Sequence, residues 1–137
     1  MKIYSILLVF FIISCTEKID KKNVSLLNGY WEIEKVNLPN EESKEYKINE
    51  SVDYFKISDN LKGFRKKLVP QYDGKFLTNE VQENISIFFN GDIAFITYKT
   101  DFATWNEEIV KLTNEELILK SEQGIAYVYK RKHEYNE

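Results

Sequence analysis

The chain has 137 residues, 43% of them apolar and 15% aromatic, and its 19 basic and 22 acidic side chains leave a net charge of −3. That length suits one domain with a packed core rather than two, and the acidic balance excludes the electrostatic footprint of a nucleic-acid binder. One cysteine and one histidine leave no disulfide framework within a chain and no cysteine- or histidine-based metal set.

From Ile3 to Ile13 every residue is apolar except Ser5, counting Tyr4 as apolar, and Lys2 stands in front. The run is shorter than the roughly 20 residues of a bilayer-spanning helix. It has the layout of a secretory signal: a basic start, about 7–15 apolar residues, then a small residue before the cut. Ile12-Ile13-Ser14-Cys15 resembles the lipobox of bacterial lipoproteins. The resemblance implies that residues 1–14 are a signal peptide, and that Cys15 carries diacylglycerol and usually an N-linked acyl chain such as palmitate. Two chains give stable anchoring where one is marginal, at about 0.8 kcal/mol per buried methylene. Thr16, rather than Asp, after the cysteine points to the outer membrane of a cell envelope. Loss of residues 1–14 removes Lys2, leaving 123 residues with a net charge of −4.

Residues 15–25 read as the lipidated cysteine and a charged tether, with "TEKIDKKN" holding the domain off the membrane. The domain is expected over residues 26–132 and a tail over 133–137. In "LLNGYWEIEKVN", Trp31, Ile33 and Lys35 alternate with Glu32, Glu34 and Val36, a strand with a late change of face. The polar stretch 38–50 is a candidate lid or short helix. "SVDYFKIS" (51–58) and "LKGFRKKLVP" (61–70) read as the next strands. Asp73-Gly74 and Asn90-Gly91 are dipeptides that take positive φ at both central turn positions, so each is expected to form a two-residue hairpin. "TWNEEIVKL" (104–112), "ELILK" (116–120) and "IAYVYKRK" (125–132) complete the series, separated by "LTNE" and "EQG".

Consecutive hairpins give an all-β antiparallel meander of about eight or nine strands, which must close or leave two sticky edges. An up-and-down barrel is the economical closure, and a two-sheet β-sandwich is the alternative. "Leu27-Asn28-Gly29-Tyr30-Trp31-Glu32-Ile33" resembles the Gly-x-Trp opening of lipocalins. "GFRKKLVPQYDGKF", "TDFATWNEEIVKL" and "ELILKSEQGIAYVYKR" are similar to the small lipocalin-like lipoproteins of Bacteroidota, especially flavobacteria. The resemblance implies a lipocalin-like barrel closed at one end by Trp31 packed on a basic residue of the last strand, for which Arg131 is the candidate. A cation over an indole face contributes about 0.5–2 kcal/mol.

No catalytic constellation stands out, so the protein is expected not to be an enzyme and to need no cofactor or metal. His133 falls in the tail, and Glu107-Glu108 and Glu115-Glu116 are neighbours that a strand points to opposite faces. The candidate ligand-binding residues are Arg65, Trp105, Tyr127 and Tyr129. Arg65 and Lys67 share one face of a basic strand, and an inward arginine needs a partner. Tyr127, Tyr129 and Arg131 share one face of the last strand, which makes an amphipathic pocket if it points inward and a recognition stripe if it points outward. Two functions follow as expectations for a monomeric, membrane-anchored lipoprotein. One is binding of a small hydrophobic or amphipathic ligand. The other is a non-enzymatic envelope module that binds a protein or glycan. A dry, aromatic-filled barrel favours the second; a cavity lined by a few convergent polar groups favours the first.

Overall fold

The computed structural model describes residues 18–47, 49–78 and 81–135. Among the described residues ten strands run in chain order: β1 (Gly29–Asn37), β2 (Ser43–Glu45), β3 (Val52–Ile57), β4 (Lys62–Pro70), β5 (Phe76–Leu77), β6 (Gln82–Asn90), β7 (Ile93–Lys99), β8 (Thr104–Leu112), β9 (Glu116–Ser121) and β10 (Ala126–Arg131). Eight of them form an antiparallel barrel in the order β10-β9-β8-β7-β6-β4-β3-β1, and β1 closes it by pairing with β10. This closure decides for the barrel over the sandwich. β2 continues the edge of β1 beyond β3, and β5 forms a two-residue ladder on the end of β4. The polar 38–50 stretch thus contributes an exposed short strand.

Two bulges adjust the inward rows. Between Ile33 and Lys35 the register with β10 shifts, which moves Val36 to the parity of Trp31 and Ile33 and accounts for the change of face expected there. A second shift, between Ile109 and Lys111, keeps Leu112 buried while Val110 is exposed.

The turns refine the expected chemistry. Asn90 pairs with Ile93, so the two-residue loop is Gly91-Asp92 rather than Asn90-Gly91. Only Gly91 has positive φ, at +60, the type II′ arrangement with glycine at the first central position. Asp73-Gly74 is not a two-residue hairpin. Gly74 N–H donates to Gln71 O and Gln71 N–H to Lys75 O, so a turn is followed by one left-handed residue, Gly74 at φ +80. The loop from Ser58 to Lys62 has the same bonding, with Leu61 at φ +63 in the glycine position. Its side chain packs against the core, a contact that a glycine could not make.

The packed domain begins earlier than residue 26. Ile19, Val24 and Leu27 are buried in the core cluster, and Val24–Leu27 form a 3-10 turn across one end of the barrel. Asp20 and Asn23 organise the approach: the Asp20 carboxylate accepts from the Lys22 and Asn23 N–H groups, and the Asn23 amide oxygen from the Asp20 N–H. Ile19 is the apolar residue within "TEKIDKKN", which is how a segment read as a tether comes to be partly core.

Candidate functional site

The barrel interior divides into two halves. At the end covered by the 3-10 turn, Trp31, Phe55, Ile57, Ile87, Ile96, Leu117 and Leu119 are buried in one core cluster. Trp31 is fully buried; its indole N–H donates to Leu27 O at 2.9 Å. The Arg131 guanidinium lies 4.1 Å from the centre of a Trp31 ring. It donates to Asn114 O at 2.5 Å, to Asn28 O at 2.7 Å and to Leu26 O. Burial lowers the pKa of Arg131, with Glu115 acting in the opposite direction. The pairing expected between Trp31 and Arg131 is therefore present, with three backbone carbonyls satisfying the cation.

At the other end a cleft of about 280 Å³ opens between the strands, lined by Asp53, Arg65, Lys67, Glu83, Trp105, Glu107, Tyr127 and Tyr129. The four residues singled out from sequence, Arg65, Trp105, Tyr127 and Tyr129, meet there. Arg65 Nε donates to Glu83 Oε2 at 2.5 Å, and its Nη1 stands 3.9 Å from Glu107 Oε1. Its guanidinium sits 4.3 Å from the Tyr98 ring centre and 5.8 Å from that of Phe55, on the boundary with the apolar half. Tyr98 in turn stacks on Trp105 with ring centres 5.2 Å apart. Lys67, at the rim, approaches Asp53 to 3.9 Å.

Sequence reasoning missed the acids. Asp53 and Glu83 each stand at the end of an inward row that is otherwise apolar, Asp53 before Phe55 and Ile57 and Glu83 before Ile85 and Ile87, and Glu107 interrupts a row between Trp105 and Ile109. One charge in an alternating apolar row is the signal that could have found them. Burial raises the Asp53 and Glu107 carboxyls above the usual carboxylate range, against the pull of Arg65 on both and of Lys67 on Asp53. Burial opposes the charge of Arg65 too, but the hydrogen bond to Glu83 and the surrounding groups outweigh it and its pKa is raised. Burial also pushes the Tyr98 and Tyr129 phenols well up, so both stay neutral donors. The Tyr98 hydroxyl, wholly buried, faces Glu107 but has no hydrogen-bond partner of good geometry. Among the described residues no group of three His, Cys, Asp or Glu is placed to hold a metal ion. His133 lies outside the cleft, in a 3-10 turn, 2.9 Å from Glu115. Cys15 and the rest of the expected signal lie outside the described residues.

A closed eight-stranded barrel, plugged at one end and open at a polar, aromatic-walled cleft at the other, is the architecture of a lipocalin-like β-barrel. The lipocalin-like domain family matches residues 27–119, and the chain belongs to it. Lipocalin-like domains are in general binding proteins rather than enzymes. In shape, the chain is similar to a lipocalin-like protein from Bacteroides uniformis ATCC 8492, at 12% identity and a TM-score of 0.51, over 78% of this chain and 99% of that one. At that identity the likeness is one of fold. No curated protein matches the chain.

Proposed function

We propose that this protein is a non-enzymatic binding protein of the cell envelope, lipid-anchored in the outer membrane, which holds a small amphipathic molecule in the open-end cleft. The observation that carries this reading is the divided interior. The plugged half is an apolar core whose side chains are buried against one another, and the cleft that opens beside it is walled by charged and aromatic groups instead. An amphipathic ligand meets Trp105 and Tyr127 beside the ionic groups of Asp53, Arg65 and Glu107. Small-molecule pockets commonly measure about 300–1,000 Å³, so a cleft of about 280 Å³ suits a small ligand and excludes a long lipid chain.

Native mass spectrometry of the full chain, purified gently from envelope membranes, tests the binding. An extra mass removed by organic extraction supports it; a bare mass that stays bare after incubation with small amphiphiles contradicts it. The anchor rests on the lipobox sequence at Cys15. Cys15→Ala is expected to release the protein from the membrane fraction, and undiminished retention would count against lipidation.

A second reading, an interaction module for an envelope protein or glycan, is favoured by one feature. Phe88 and Phe95 stack with ring centres 5.1 Å apart, and Phe88 is exposed. Under that reading Phe88→Ser abolishes partner capture; under the first it leaves the bound small molecule in place.

A further inference from the structure

The open-end cleft holds more acid than base. Asp53, Glu83 and Glu107 stand against Arg65 and Lys67, and the closest pair, Arg65 with Glu83 at 2.5 Å, satisfies itself. Asp53 and Glu107 are left with cations no nearer than 3.9 Å, beyond hydrogen-bond reach. The Lys67 side chain is 68% exposed, a mobile rim charge rather than a fixed partner. Yet the Glu107 side chain is only 8% exposed and that of Asp53 11%. Each has one neutral phenol beside it, Tyr129 for Asp53 and Tyr98 for Glu107, and the wholly buried Tyr98 hydroxyl has no hydrogen-bond partner of good geometry. Buried carboxylates are stable in their charged form when a close cation and donors surround them, and here each has a single phenol beside it and no cation nearer than 3.9 Å. Trp105 and Tyr127 line the same space, and aromatic walls suit a cation as well as an apolar body.

Resting on the ligand-site reading above, we infer that the cleft takes a small amphipathic cation, a protonated amine. Its ammonium group lies between Asp53 and Glu107, and its apolar body runs along Trp105 and Tyr127. An anion of the same size would face three acids, while Arg65, the natural partner for it, is already bonded to Glu83. The ammonium brings up to three donors and, at hydrogen-bond range, the positive charge that the two carboxylates lack.

The test uses the full chain in a mild non-ionic detergent, with empty micelles as the blank. Three probes share one aromatic body and differ in head charge: phenethylamine, 2-phenylethanol and 3-phenylpropionate. Binding is read by titration calorimetry and by the indole N–H resonance of Trp105. The amine is expected to bind at least about tenfold more tightly than the alcohol, with the carboxylate weakest. Glu107→Gln lowers the amine's affinity by about tenfold or more and leaves the alcohol's within about threefold. Asp53→Asn provides the same comparison should Glu107→Gln fail to fold. Alcohol or carboxylate binding as tightly as the amine overturns the cation inference and leaves a ligand site standing. So does an amine affinity unchanged in both variants. No binding of any probe, with Trp105 unmoved, overturns both the inference and the reading beneath it.

Discussion

Each end of the barrel places an arginine over an aromatic ring, and the two sites differ in how the cation is satisfied. At the plugged end, Arg131 over Trp31 is closed off by three neutral backbone carbonyls. At the open end, Arg65 over Tyr98 bonds one carboxylate and leaves two others at long range around an open space. Neutral acceptors complete a structural arginine and leave nothing for a ligand to add. Partly satisfied charges beside a cleft are a different matter, since burial without full partnering is tolerated mainly where a site gains from it. The lesson lies in the completeness of the partners rather than in the motif.

The largest expected effect tests the plugged end. Trp31→Ala removes a fully buried indole, its hydrogen bond to Leu27 O and the surface that Arg131 covers. A loss of about 3–5 kcal/mol is expected, measured by urea unfolding. The two arginines then separate by pH. Arg131→Met and Arg65→Met are each expected to cost about 3 kcal/mol at neutral pH, the first by orphaning carbonyls and the second by stranding acids. The cost of Arg131→Met should stay level between pH 7 and pH 4, because carbonyls do not titrate. That of Arg65→Met should shrink as Glu107 and Asp53, whose carboxyls burial raises, take up protons. Equal pH profiles would erase the distinction between the two ends.

The smallest effect isolates one acid. Burial holds the Glu107 carboxyl above its usual range, so the folded state binds that proton more tightly than the unfolded chain does. The stability this contributes is fully present below the unfolded carboxylate value of about 4.3 and is lost as pH rises through the raised folded value. Glu107→Gln is therefore expected to flatten the fall in Tm between pH 4 and pH 7. An unchanged slope, followed by thermal melts across that range, would place Glu107 in solvent.

Most of the barrel was legible because alternation specifies strands strongly when one face is buried. The rows Ile85, Ile87, Phe89 and Ile93, Phe95, Thr97 lie on hairpin β6–β7 where the pattern puts them, although Phe95 and Thr97 share the outer parity and Ala94, Ile96 and Tyr98 fill the core. The inward face thus had to come from the structure, since both rows are apolar. Turn register shifted at Gly91 because one glycine satisfies a type II′ turn as readily as Asn-Gly satisfies type I′. The N-terminal plug was illegible because Ile19 and Val24 are isolated among charges and bury only once a barrel exists to receive them. Of the cleft, Arg65, Tyr127 and Tyr129 could be singled out by shared strand parity and Trp105 as a strand aromatic. Its acids were passed over, because a strand carboxylate belongs in water unless tertiary structure encloses it, although a single charge in an otherwise apolar row marked each of them.

The most direct test of the account follows the indole N–H resonances of Trp31 and Trp105 while an extract of envelope small molecules is titrated into the labelled full chain. Trp105 is predicted to shift in a saturable way, with Trp31 fixed beneath Arg131. A shift confined to Trp31, or neither indole moving, would contradict a barrel that is sealed at one end and binds at the other.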